Sequence, residues 1–123
     1  MTMSMITHPN AAELARAVAQ WLDAVRPQLN QRDGYLARVA MNALAIIDRE
    51  LSQGRAAESA SRARMAKLLG KDGDYDTLSR ELCECLRSGR MNLATPELLA
   101  TLRADTLAKL AIDQPAYRHD TSK

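Results

Sequence analysis

The stretch Asn10-Ala-Ala-Glu-Leu-Ala-Arg-Ala-Val-Ala-Gln-Trp-Leu-Asp-Ala-Val25 decides the fold class. Asn10 and Glu13 form a capping box: a short polar side chain accepts from a first-turn N–H, and a carboxylate reaches back to the cap. Apolar residues then recur at Leu14, Val18, Trp21, Leu22, Val25 and Leu29. At 100° per residue they fall within about 100° of arc, the mark of a helix with one apolar face. Pro27 bends or ends that helix near Arg26, because it has no N–H to donate.

The same period continues along the chain. A second helix is predicted from about Tyr35 to Gln53, with Leu36, Val39, Ala40, Ala43, Ile46, Ile47 and Leu51 on a broad face and Gly54 as its stop. A third covers Arg55 to Leu69 and closes at Gly70, its narrow face being Ala57, Ser61, Met65, Leu68 and Leu69. A fourth runs from Tyr75 to Ser88 and ends at Gly89. The fifth starts with Thr95 as N-cap, Pro96 as first helical residue and Glu97 in the first turn, and stops near Asp113 ahead of Pro115. Short connectors favour antiparallel neighbours. The expectation is an all-α, compact bundle of about five helices, mostly antiparallel neighbours. Residues 10–115 make one domain, with flexible segments at 1–9 and 116–123. The stripes of the first two helices are the obvious core-forming pair.

Composition agrees. The 123 residues are 46% hydrophobic yet only 3% aromatic, with no Phe. That is too apolar for a disordered tail and too poor in aromatic and β-branched residues for a sandwich or barrel. Seventeen basic against fifteen acidic residues leave a net charge of +2, and nucleic-acid binding needs a concentrated basic surface. On the third helix Arg55 and Arg62 align while Arg64 and Lys67 lie across the wheel, a solvated surface rather than a reading face. The N-terminus lacks a secretory pattern, the C-terminus lacks a lipidation box, and no apolar run approaches the roughly 20 residues that span a bilayer. A cytoplasmic protein with free thiols at Cys83 and Cys85 is expected.

Chemistry-bearing motifs are few. Cys83 and Cys85, two apart on a helix, point about 200° from each other and do not chelate one ion. Asp72-Gly-Asp74-x-Asp76 opens like a calcium loop, but its sixth position is Thr77 and its twelfth Cys83. Its acids fit the N-terminus of the fourth helix instead. With no phosphate loop, nucleophile elbow or HExxH, no catalytic residue, metal or cofactor is assigned.

Two polar clusters stand out. Arg38, Asn42 and Arg49 lie within about 40° of one another on the second helix. Glu50 sits near the centre of the apolar face, where a carboxylate without a partner is costly. Glu50 then pairs with an Arg from another segment, or borders a pocket with Arg38 and Asn42 that binds a small anionic ligand, or reaches solvent near the helix end. On the fifth helix, whose apolar face is Leu98, Leu99, Leu102, Thr106 and Leu110, the residues Arg103, Thr106, Lys109 and Asp113 intrude on or flank the Leu stripe. Thr106 can bond back to its own helix, and the cluster is either structural or the margin of a protein–protein contact.

The strings Pro9-Asn-Ala-Ala-Glu-Leu14, Arg38-Val-Ala-Met-Asn-Ala-Leu-Ala-Ile-Ile-Asp-Arg-Glu50, Leu78-Ser-Arg-Glu-Leu82 and Leu102-Arg-Ala-Asp-Thr-Leu-Ala-Lys-Leu-Ala-Ile-Asp-Gln-Pro115 resemble a small bacterial family defined only as a domain of unknown function. The likeness covers roughly residues 9–117. It implies a genomic setting beside kinases of the aminoglycoside-phosphotransferase type, often with an acyl-CoA dehydrogenase nearby. It therefore implies an accessory role toward one of those enzymes. It carries no catalytic residue. A homodimer is a further expectation, since five short helices leave part of a stripe for a second copy.

Overall fold

A computed structural model describes residue 5 and residues 7–117. The segments expected to be loose at 1–9 and 116–123 fall partly outside the described residues. Among the described residues there are four α-helices and no strand: α1 (Ala11–Val25), α2 (Gln31–Leu69), α3 (Tyr75–Ser88) and α4 (Leu98–Asp113). A 3-10 turn at Arg26–Gln28 carries Pro27 and ends α1 where proline chemistry requires.

The all-α class stands; the count of five does not. The predicted second and third helices are one continuous α2. Gly54 lies inside it without the left-handed backbone that ends a helix, and Gly in a helix interior costs only about 1 kcal/mol relative to Ala. Good helix formers on either side carry the helix through. Gly70 and Gly89 do end helices, with φ of 70° and 78°, the left-handed cap that glycine adopts without a Cβ clash. The start of α2 was also earlier than Tyr35: Asn30 Oδ1 accepts from Asp33 N at 2.8 Å and caps it, leaving Gly34 inside the helix.

The chain divides into two compact units, Met1–Gly54 and Arg55–Lys123. In the first, α1 and the opening turns of α2 form an antiparallel hairpin. Gly34 lies near the Arg26 carbonyl, and Arg16 bonds Asp48 at 3.1 Å, so partner numbers fall along α1 as they rise along α2. Ala12, Ala15 and Ala37 are the buried residues of these two helices within this unit. The Asn10–Glu13 capping box is present as expected, and His8 bonds the Glu13 carboxylate. That bond, with the Asn10 N–H, holds the Glu13 carboxyl below the usual carboxylate range.

The predicted core-forming stripes are not buried. Trp21 is 63% exposed and Leu14 52%, with Leu36, Ile47 and Leu51 near half exposure. Two helices cover only one side of each other, and here that side is lined by alanine. The best-buried apolar cluster is in the second unit: Met65 of α2, Leu78 and Leu82 of α3, and Leu98 of α4. Leu78 has no exposed surface. Asp74 caps α3 by accepting from Thr77 N at 2.7 Å, which is the role expected for the acids of that turn.

The fifth predicted helix begins two residues late. Thr95, Pro96, Glu97 and Leu98 make a turn in which Leu98 N donates to Thr95 O at 3.3 Å and Glu97 has φ 69°. Pro at the second and a positive φ at the third position define a type II turn. Thr95 spends its hydroxyl on Asn92 N rather than on capping α4. No helix among the described residues is long and apolar enough to cross a membrane.

Candidate functional site

Arg38, Asn42 and Glu50 are all exposed on α2, in the first unit. Arg38 and Asn42 are one turn apart. Glu50 lies about 18 Å further along the axis from Arg38 and about 120° around it. The burial expected for Glu50 is absent, so its carboxylate needs no buried arginine. Arg49 is half-buried and takes part in an interaction of its own.

On α4, Arg103, Thr106, Lys109 and Asp113 are exposed. Thr106 Oγ1 donates to Leu102 O at 2.8 Å, the back-bond expected of a helical Thr. The inward side of α4 differs from the predicted Leu stripe. Leu98 and Thr101 are buried and Asp105 is half-buried, while Leu99 is 57% exposed on the outer side. At the end of the helix, Leu107, Leu110, Ala111, Gln114, Pro115 and Tyr117 line a hollow of about 200 Å³. The outer face of α4 therefore mixes apolar and charged groups beside a shallow apolar recess, a composition common at protein contacts.

A second surface consists of stripe residues that the sequence marks but assigns to the core. In α1, Leu14, Val18 and Trp21 share one line, and in α2, Leu36, Ile47 and Leu51 share another; all six are 45–63% exposed. At 100° per residue each line lies about 100° from the residues that meet across the hairpin. Because the helices are antiparallel, both lines fall on the same side of the hairpin. Arg16 and Asp48 pair toward the other side. The signal was available: the α1 stripe together with Ala12 and Ala15 is wider than one neighbouring helix covers.

Of the two thiols, Cys85 is buried on α3 as Leu78 and Leu82 are, and Cys83 is exposed, the opposite directions that their spacing predicted. Among the described residues no three His, Cys, Asp or Glu side chains gather around a common metal position.

No similar curated protein and no similar solved structure is found. A family model does match, over residues 27–117, which takes in α2, α3 and α4 and is well over half of the chain. The chain belongs to the family described as domain of unknown function DUF6285.

Proposed function

We propose that this protein is a non-catalytic, cytoplasmic helical accessory protein that contacts a larger enzyme through the outer face of α4. The observation that carries the reading is Leu99, 57% exposed, in a face bordered by the exposed Arg103, Thr106, Lys109 and Asp113. An apolar anchor within a polar rim is the arrangement protein interfaces use. The enzyme is the phosphotransferase-like kinase or the acyl-CoA dehydrogenase that the family resemblance implies. Co-expression with each tagged enzyme should recover the chain in complex, and Leu99→Asp should abolish recovery. Failure to recover it with either enzyme, or capture unaffected by Leu99→Asp, removes the reading.

A second reading, a small anionic ligand held by Arg38 and Asn42, draws on their exposure one turn apart; Glu50, about 18 Å further along α2 and of the wrong charge for an anion, has no part in it. Thermal-shift measurements with acyl-CoAs and phosphorylated metabolites test it. A ligand at 100 times its dissociation constant adds about 2.7 kcal/mol of stability, and the absence of any shift retires the reading.

A further inference from the structure

We propose that the apolar side of the α1–α2 hairpin is the seam of a homodimer, covered by the same side of a second copy of this chain. The inference rests on the reading of the protein as an interaction module, but uses a surface separate from the α4 face. Three observations select a second copy as the occupant.

The first is area. Six large side chains at about half exposure, among them Trp21 at 63%, offer on the order of 600 Å² of surface per chain. A standard stable interface buries about 800 Å² per partner. Val39, 45% exposed at the edge of the α2 line, brings the hairpin closer to that range.

The second is charge. Residues 1–54 carry five Arg (16, 26, 32, 38, 49) and five acids (Glu13, Asp23, Asp33, Asp48, Glu50). A two-fold contact places a patch on itself, so a strongly charged patch would repel its own copy. This hairpin is neutral in sum: Arg32 and Glu50, of opposite sign, border its apolar side, and the Arg16–Asp48 pair lies off it.

The third is shape. The apolar line of α1 from Leu14 to Trp21 spans about 10 Å, and that of α2 from Leu36 to Leu51 about 22 Å, at 1.5 Å per residue. Two antiparallel helices with apolar lines on one side are half of a four-helix bundle. Two such hairpins complete it by layering face to face, with the alanine contacts inside each hairpin unchanged.

Sedimentation equilibrium and light scattering on the full chain test the proposal. The expected mass is twice 13.6 kDa. Trp21 is the single tryptophan, so its emission should shift to the red as dilution separates the copies. Val18→Asp should give a monomer with an unchanged helical circular dichroism signal, while Leu99→Asp should stay dimeric. A wild-type monomer at every concentration overturns the proposal, and so does a dimer that survives Val18→Asp with Trp21 emission unaltered. Should Val18→Asp unfold the chain, the dilution series of the wild type decides alone: mass and emission must change together. A monomeric wild type that still captures the enzyme through α4 removes the dimer and leaves the accessory reading intact. A dimer that captures neither enzyme does the reverse.

Discussion

Arg64 directs both Nε and Nη2 at one carboxylate oxygen of Asp105, at 3.2 and 2.7 Å, joining α2 to α4 inside the second unit. The side chains are 31% and 27% exposed, so the pair is partly shielded from water. Two charge-assisted bonds from a rigid guanidinium hold α4 in its rotation about its own axis. That rotation turns Leu98 and Thr101 inward and Leu99 outward. Arg64→Ala or Asp105→Ala should each cost about 1–2 kcal/mol in urea unfolding. Arg64→Lys should recover only part of the loss, since an ammonium lacks the planar fork. Additive single and double mutants would show that the pair does not couple.

Leu78→Ala tests where the core sits. Leu78 has no exposed surface and packs with Met65, Leu82 and Leu98. Truncation should cost about 2–5 kcal/mol, from lost transfer energy and the cavity left behind. A loss under 1 kcal/mol would place the core elsewhere.

Glu97 sits in a left-handed conformation with φ 69° at the third position of the Thr95–Leu98 turn. Glycine occupies that region without a Cβ clash, although it also raises the entropy of the unfolded chain. Glu97→Gly should therefore stabilise by about 0.5–1 kcal/mol, while the β-branched Glu97→Val should destabilise. The opposite order in thermal melts would rule out the type II turn.

Local signals were the legible part of this chain. The Asn10–Glu13 box, the Gly70 and Gly89 stops, the full extent of α3 and the Thr106 back-bond all depend on groups within four residues of each other. Errors came where a weak local signal met a competing one. Gly54 reads as a stop, yet its neighbours favour helix by more than one glycine costs. Thr95-Pro96 reads as a helix start, yet Thr95 Oγ1 bonds Asn92 N and the turn delays the helix to Leu98. Whether a stripe is buried depends on what covers it, which periodicity does not encode. Trp21 and Leu14 marked α1 as a helix correctly and its burial incorrectly. The Arg64–Asp105 pair, 41 residues apart in sequence, carried no local signal.

Gly54→Ala separates a continuous α2 from two helices broken at Gly54. In the continuous helix the added Cβ meets only Glu50 Cγ at 3.5 Å, an ordinary contact. Alanine should then stabilise by up to about 1 kcal/mol through helix propensity. In a broken helix with a left-handed cap at Gly54, alanine would destabilise. The sign of the change in unfolding free energy decides.

The Asp74 cap gives a pH signature with a definite sign. The Thr77 N–H, 2.7 Å from Asp74 Oδ1, and then the Thr77 hydroxyl hold its carboxyl below the usual range. A folded-state pKa lower than the unfolded one means that the carboxylate stabilises the fold above the unfolded value. The contribution is lost as pH falls through the folded value. Asp74→Asn retains an acceptor for Thr77 but no charge at the positive end of the α3 dipole. Wild type should melt above Asp74→Asn at neutral pH, and the gap should close as pH drops below roughly 4. Asp74→Ala, with no acceptor, should melt lowest at neutral pH. Melting temperatures of the three proteins between pH 7 and pH 2 provide the measurement, because other titrating groups are common to all three and cancel in the differences. A gap between wild type and Asp74→Asn that persists unchanged to pH 2 would mean that the charge of Asp74 plays no part in capping α3.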